Sequence, residues 1–552
     1  MKYIYVLILS FCGVTVFGQS SFQKTDNTPI DTRNVVPTTI VASIAYQGYE
    51  EDQAYFGEGE YELFVDQIDG VLDKPIIILD GFDPGDTRTI DGIYNTLNFD
   101  GQNLGDILRS EGFDVVVLNA PQYMTDGNPI DGGSDYIQRN AMVLIELIDF
   151  LNAEKVGDEE LVVFGPSMGG LISQYALSYM EANNMTHETR LFISFDAPHK
   201  GANIPISMQY LINYLAETLA DETAQAIIEG VFNSPAAKEM LVDHIQAHLL
   251  DDSVEQDPTK LLPEGAPNFR DAFQEELDLL GFPELVRNVA MINGSGQGTT
   301  TGLPDMQIVD TTIEVAAGIT TDINLRFTPL ASATNTVTDI ETFLVGVPVS
   351  QYTTIAESFD VTDGVDSAPG GTSSFSDALG GDGNTNPIIV TFIEAIEQDE
   401  FSFIPTISSL AIENENDWFA IPDIGGIHNS PFVNTFIAQT NESHVQTTIE
   451  NVEFALDEIR QTSLSINDTS IIERYKLVKN PVNKDIQISL NSSFEYPKVQ
   501  VIGYNATGQK VLETTYTHPN SQITIHQNLA AGVYFLNIID ASGSSQLKLL
   551  VN

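Results

Sequence analysis

A doubly wound, mostly parallel α/β sheet followed by a small C-terminal β-sandwich is the fold class that the sequence predicts. Three observations carry it. Continuous apolar runs at Ile76–Leu79, Val115–Leu118, Leu161–Phe164 and Leu191–Phe195 read as strands buried on both faces, as a parallel sheet requires. Helical patterns separate them, at Leu104–Ser110, Tyr136–Asn152 and Leu171–Tyr179, and such alternation over short connections builds doubly wound sheets. Third, the charge changes late in the chain. Residues 466–552 carry seven Lys/Arg against six Asp/Glu, whereas the whole chain carries 23 against 78, a net of −55. A shift of that size marks a domain boundary.

Taken in order, Lys2, the apolar run Ile4–Val16 and Val16-Phe17-Gly18 before Gln19 read as a secretory signal over residues 1–18. The run is too short for a membrane span, and Phe11 does not suit a lipid-attachment box before Cys12, so no stable membrane anchor is expected. Cys12 is the only cysteine and lies in the segment to be removed, which excludes disulfides and a cysteine nucleophile from the mature chain. The acidic surface repels nucleic acid and anionic membranes. After a polar lead-in, Thr38–Tyr46 and Tyr61–Gln67 are expected to form an antiparallel ribbon opening the sheet. Residues 19–465 form the main domain. Within it, residues 204–284 are helical in character and are expected to act as a lid. Val286–Asn293 resumes the strand pattern, and residues about 300–390 read as a β-rich insertion. Phe403–Leu410 is a further β-like run and Thr448–Ile459 a helix. The last 87 residues hold short alternating runs between turn residues, the pattern of a β-sandwich.

The chemistry centres on Gly165-Pro166-Ser167-Met168-Gly169-Gly170. A strand enters this Gly-x-Ser-x-Gly and a helix leaves it, the context of a nucleophile elbow. A serine hydroxyl is a poor nucleophile near neutral pH and needs a histidine base, a carboxylate to orient that base, and N–H donors for an oxyanion. The base and acid follow the serine in the chain in this arrangement. His444, in Asn441-Glu442-Ser443-His444 before the last helix, suits the base; His428 is the alternative. Asp366, in the Gly/Pro-rich stretch 363–371, is the favoured acid, with Asp363 and Asp196 as alternatives. The backbone amides of Phe82, in the loop after Leu79-Asp80-Gly81, and of Met168 are the expected oxyanion donors. His199 reads as structural near the site's edge, His187 as a solvated loop residue, and His244 with His248 as helix surface rather than a metal pair. Asp382-Gly383-Asn384-Thr385-Asn386 departs from a calcium loop at Pro387 and Ile393 and reads as a polar turn. No metal or cofactor is expected.

Ile76–Pro84, Gly165–Gly170 and Asp196-Ala197-Pro198-His199-Lys200-Gly201-Ala202 together resemble the secreted α/β-hydrolases of the lipase/esterase type, over about residues 70–460. The resemblance implies Ser167 as nucleophile and His444 as base; Asp-Gly-Phe-Asp stands in place of the family's His-Gly oxyanion motif. The tail resembles the type A C-terminal sorting domain of the type IX secretion system. Lys479-Asn480-Pro481-Val482, Val501–Lys510, Leu529–Phe535 and the terminal Lys548-Leu549-Leu550-Val551 carry that likeness. It implies export through the periplasm to the medium or cell surface, with the secretion machinery as partner. The expected function is a secreted serine hydrolase that cleaves an ester or lipid substrate through an acyl-enzyme. A hydrolase of amides, thioesters or polyesters, and a non-catalytic surface binding protein, are the alternatives.

Overall fold

Eight strands form the central sheet: β1 (Thr38–Tyr46), β2 (Tyr55–Phe64), β3 (Pro75–Leu79), β4 (Asp114–Asn119), β5 (Leu161–Pro166), β6 (Thr189–Phe195), β7 (Arg287–Ile292) and β8 (Asn434–Ile437). Their spatial order is β1-β2-β4-β3-β5-β6-β7-β8. Only β2 runs against the others. This is the architecture of an α/β-hydrolase. The computed structural model describes residues 37–250, 253–378, 387–461, 475–482, 484–490, 496–505, 509–519, 521–527, 529–540 and 543–551. The signal segment 1–18, the charge boundary at 465/466 and the turn at Asp382–Asn386 lie outside these residues.

The apolar strands divide their side chains between two faces, because successive residues of a strand point to opposite sides. Ile77, Leu79, Val116, Leu118, Val163 and Phe192 pack with helices Ile137–Glu154 and Met168–Ala182. Ile76, Ile78, Val115, Val117, Val162 and Phe164 pack on the other side, against Ile90–Asn95, Leu104–Ser110 and Ile449–Arg460. With both faces covered, polar residues are confined to the strand ends. The strand order turns back between β4 and β5, on either side of β3. The carboxyl ends of β3 and β5 therefore open onto a topological switch point, where open α/β sheets place their sites.

Between β6 and β7, helices Ile206–Leu219, Glu222–Ile227, Pro235–Met240, Ile245–His248 and Arg270–Leu280 follow one another. Within the stretch expected to be helical, the apolar residues 236–249 do not form one helix. Leu241 is extended and bridges Ala202, and His244 caps a fresh turn. Strands Gln307–Ala316, Ile319–Arg326, Thr334–Leu344 and Val347–Glu357 then form a separate antiparallel sheet in chain order. Two other expectations shift. The ribbon strand expected at 61–67 ends at Phe64, because the Asp66 carboxylate accepts the N–H groups of Ile68, Asp69 and Gly70 and turns the chain. The run at 403–410 is strand only to Pro405, which opens a helical turn, Thr406–Ser409; proline cannot donate to a ladder but suits a helix start.

The chain divides into two compact units, Met1–Ile459 and Arg460–Asn552. The second holds a three-stranded sheet (Tyr475–Leu477, Asp485–Leu490, Gln522–His526) and a four-stranded sheet (Lys510–Thr517, Lys498–Asn505, Gly532–Asp540, Gly543–Val551). Ile486, Ile488, Val499, Val501, Leu536 and Ile538 share one core, so this unit is a small β-sandwich. Among the described residues no helix is long and apolar enough to cross a membrane.

Phe192 is fully buried at the centre of the main sheet. Phe192→Ala is expected to lower the stability of the first unit by about 3–5 kcal/mol, read as a lower midpoint for its transition in urea; a loss below about 1 kcal/mol would contradict the packing described.

Candidate active site

At the end of β5 the chain must reverse into a helix within one residue, and Ser167 takes the strain, with φ 52° and ψ −129°. A non-glycine residue at positive φ is uncommon and costs on the order of 1–3 kcal/mol. Neighbouring backbone explains the small residues around it. A β-carbon on Gly165 would stand 2.6 Å from the Gly169 carbonyl oxygen, and one on Gly170 would overlap the Ala197 side chain. The Ser167 N–H donates to the Phe195 carbonyl at 2.9 Å, so the elbow stays tied to β6. The hydroxyl is thereby raised, half-buried, above the sheet.

His444 lies on the loop between β8 and the helix Ile449–Arg460, and it meets the serine directly. Its Nε2 is 2.8 Å from Ser167 Oγ, and its Nδ1 is 2.8 Å from Asp196 Oδ2. The carboxylate can only accept, so Nδ1 carries the proton and Nε2 is left to accept from the serine hydroxyl. Asp196 is fully buried at the carboxyl end of β6, and its Oδ1 accepts the Asn293 N–H at 3.2 Å. Asn293 also clamps the His444 loop. Its Nδ2 donates to Glu442 Oε2 at 2.8 Å and to the Gln446 carbonyl at 3.0 Å, on either side of His444. The His444 N–H donates to the Thr372 carbonyl at 2.8 Å, and the Phe403 ring meets the imidazole edge-on at 4.9 Å between centroids.

The favoured acid of the sequence reading, Asp366, is not in this line. Its Oδ2 accepts from the Thr328 N–H at 2.7 Å and the Thr328 hydroxyl at 2.8 Å, and its Oδ1 from Asn203 Nδ2 at 3.1 Å. What the 363–371 stretch brings to the site is a glycine. Gly371 lies so close to Asp196 that a β-carbon there would overlap the carboxylate. Asp363 accepts from the Ala331 N–H and is equally committed elsewhere. His428 is buried with Nδ1 accepting the Asp423 N–H at 2.9 Å and Glu415 3.4 Å from Nε2.

The other histidines of the first unit are interior groups. His199 is held between Ser194 Oγ at 2.7 Å and Gln174 Oε1 at 2.8 Å, and burial pushes its pKa down to about 3. His187, expected to be solvated, is buried and accepts the Thr189 N–H. His244 and His248, expected on a helix surface, are also buried; His244 bonds the Phe232 carbonyl and His248 the Asp243 carboxylate. A sequence pattern does not show these contacts, which are made to backbone groups at His187 and His244 and to side chains at His199 and His248.

The loop after β3 closes the site from the other side. A β-carbon on Gly81 would stand 3.3 Å from Ser167 Cβ, so the Gly81–Phe82 peptide lies against the serine. Arg88 shapes this loop, donating through Nη2 to the Phe82 carbonyl at 2.8 Å and approaching Asp80 Oδ1 to 3.1 Å through Nε. Burial nevertheless pushes the Asp80 carboxyl up to about 6. The Met168 N–H opens the helix Met168–Ala182, where the first amides have no intrahelical acceptor. Sequence reasoning missed Asn293, Gly371, Arg88 and Phe403. Only Asn293 carried a signal, as a polar residue closing a predicted buried strand.

Residues 124–228, which include Ser167 and Asp196, match the family described as "Putative serine esterase", and residues 479–552 match the "Secretion system C-terminal sorting domain". No curated protein sequence matches the chain significantly. Similar solved structures include the Bacillus licheniformis lipase BlEst2 in its propeptide form, 10% identical over 88% of this chain and 96% of that one, with a TM-score of 0.26. Est1E from Butyrivibrio proteoclasticus is 12% identical over 43% of this chain and 74% of that one, with a TM-score of 0.23. Dimeric latent PorU from Porphyromonas gingivalis is 16% identical over 14% of this chain, with a TM-score of 0.12, and this chain covers 9% of its length. Likeness at these levels carries no argument about activity. Strand order, elbow and site define an α/β-hydrolase fold with serine-hydrolase geometry. The chain resembles the lipases and esterases of that fold and carries a C-terminal sorting domain.

Burial pushes the Asp366 carboxyl up to about 6, against the opposing hydrogen bonds from Thr328 and Asn203. The folded state then holds a proton that the unfolded chain has released between about pH 4 and 6. Stability from this group is full below pH 4 and falls as pH rises through 6, by roughly 3 kcal/mol. Asp366→Asn is expected to flatten that fall in melting temperatures taken from pH 4 to 7; an unchanged slope would contradict it.

Proposed function

We propose that the chain is an exported serine hydrolase that cleaves carboxylic esters through an acyl-enzyme. Ser167 is the nucleophile, His444 the general base and Asp196 the residue that orients it. The observation that carries this reading is the single hydrogen-bonded line Asp196–His444–Ser167, with both steps at 2.8 Å. In the first half-reaction Ser167 Oγ attacks the ester carbonyl as its proton passes to His444 Nε2. The imidazolium that forms is stabilised by the buried Asp196 carboxylate, which keeps Nδ1–H in place. The Phe82 and Met168 amides receive the oxyanion, each donor being worth about 2.7–4 kcal/mol in such sites. His444 then returns its proton to the leaving alcohol. In the second half-reaction His444 activates a water, which attacks the acyl-serine and releases the acid.

The ester as substrate is supported by the esterase family that residues 124–228 match. In this reading residues 19–465 are the catalytic domain, with the helices of 204–284 as its lid. Residues 466–552 address the chain to the type IX secretion machinery, after a signal at 1–18 has carried it to the periplasm. The sorting-domain match at 479–552 supports that route.

On p-nitrophenyl esters, Ser167→Ala is expected to lose all turnover and all labelling by a fluorophosphonate. Asp196→Asn should lower kcat by about 10⁴-fold by presenting the wrong imidazole tautomer, whereas Asp366→Asn should stay within a few-fold of wild type. Full activity in Ser167→Ala, or an equal collapse in the two Asp variants, would overturn the assignment. Rates on matched amides and thioesters measure how far the activity is confined to esters.

A further inference from the structure

The antiparallel sheet spanning Gln307–Glu357 is rooted at one end and free at the other. At the root, Val337 and Ala356 pack with Ile206 and Tyr210, and Tyr352 stacks on Tyr214 at 4.9 Å. Ile313, Ile323 and Ile340 are still buried in the core, and from Ile340 to Leu344 the strand runs roughly 13 Å outward, at about 3.3 Å per residue. There two hairpin turns lie side by side. Ile319 pairs with Leu344, and the Val345 N–H donates to the Gly318 carbonyl at 2.7 Å. The side chains at this tip are aliphatic and face water: Val345, Val347 and Val349 are 80%, 61% and 57% exposed.

Charge is distributed along the sheet with equal contrast. The stem carries Asp310, Glu314, Asp322, Asp339 and Glu341, yet no charged residue occurs between Glu314 and Asp322 or between Glu341 and Glu357. Arg326, the only base between Gln307 and Glu357, pairs with Gln307 at the root end. Single exposed aliphatic residues need no explanation, but a contiguous group at a protruding, charge-free point marks an interaction site.

Three observations choose the occupant. The tip is only a few residues across, too small for the roughly 1,000 Å² of a stable protein interface. A second copy would bring two chains of net charge −55 together, and Pro348 removes a donor from the free edge of Val347–Glu357 beside the tip, which blunts strand pairing. An anionic surface would be repelled by the acidic stem and meets no Lys or Arg at the tip. An apolar point of this size suits insertion of about 5–10 Å into a lipid boundary.

We propose that the paired turns at 317–318 and 345–346 form an insertion finger that binds the chain reversibly to the surface of uncharged, zwitterionic or neutral lipid. The finger is separate from the catalytic line, so its binding requires no turnover. It provides the contact with an aggregated substrate that no membrane-spanning segment among the described residues could provide.

The test is flotation of the full chain with phosphatidylcholine vesicles, in the Ser167→Ala background so that the lipid stays intact. Binding is expected for Ser167→Ala, and the further changes Val345→Asp and Val347→Asp should weaken it at least about tenfold, since each buries a charge in lipid. Val345→Leu with Val347→Leu should retain it. Vesicles containing phosphatidylglycerol should bind more weakly than phosphatidylcholine alone. In otherwise wild-type protein the Asp pair should leave hydrolysis of a soluble ester unchanged, which separates this claim from the catalytic one. Absence of vesicle binding, binding insensitive to the Asp pair, or an Asp pair that only abolishes self-association in sedimentation would each overturn the proposal.

Discussion

Crowding at one turn, Gly165–Gly170, is the constraint on which the rest of the site depends. A strand buried on both faces can present a hydroxyl only at its end, and there the chain must reverse at once into a helix that still covers the sheet. Ser167 accepts a positive φ to do this, at an expense of a few kcal/mol that the two-sided burial of β5 offsets. The glycines follow from the same geometry, since any side chain at 165 or 170 would occupy space already filled by backbone or by Ala197. The exposure of the Ser167 hydroxyl is thus a consequence of sheet packing.

The second dependence runs through Asp196. A fully buried carboxylate is tolerated only when its oxygens are paired, and each one here has a partner that belongs to the site. Oδ2 meets His444 and Oδ1 meets the Asn293 N–H. Asn293 in turn reaches both flanks of the His444 loop. Asp196, His444 and the loop that carries His444 are therefore fixed by one set of hydrogen bonds between the ends of β6 and β7 and the segment after β8. That arrangement restricts the freedom of the imidazole, which the proposed reaction would otherwise have to remove.

Much of the fold could be read from the chain because its signals are local. Ile76–Leu79, Val115–Leu118 and Leu161–Phe164 could hardly be anything but doubly buried strands, and Thr38–Tyr46 matches its strand end for end. The elbow at Ser167 was legible for the same reason, its pattern being written in five consecutive residues. His444 depended on chain order and on the helix that follows it. The carboxylate that meets His444 was the least legible. Order and a Gly/Pro-rich loop favoured Asp366, but neither reports which atom of a loop reaches inward, and here it is the backbone at Gly371. Asp196, at the end of the strand next to β5, needed only knowledge of which strands adjoin, and that is a property of the sheet. His187, His244 and His248 were misread for a related reason: their rings pair with backbone and side-chain groups that turns bring back from two to twelve residues away.

In the proposed mechanism Asp196, and not Asp366, holds the Nδ1 proton of His444. Proton NMR of the protein labelled with nitrogen-15 in its histidines observes that proton directly, as a strongly downfield imidazole signal protected by its bond to a buried carboxylate. The signal is predicted in wild type and in Asp366→Asn, and its loss is predicted in Asp196→Asn. A signal that survives in Asp196→Asn, or that vanishes in a folded Asp366→Asn protein, would contradict the account.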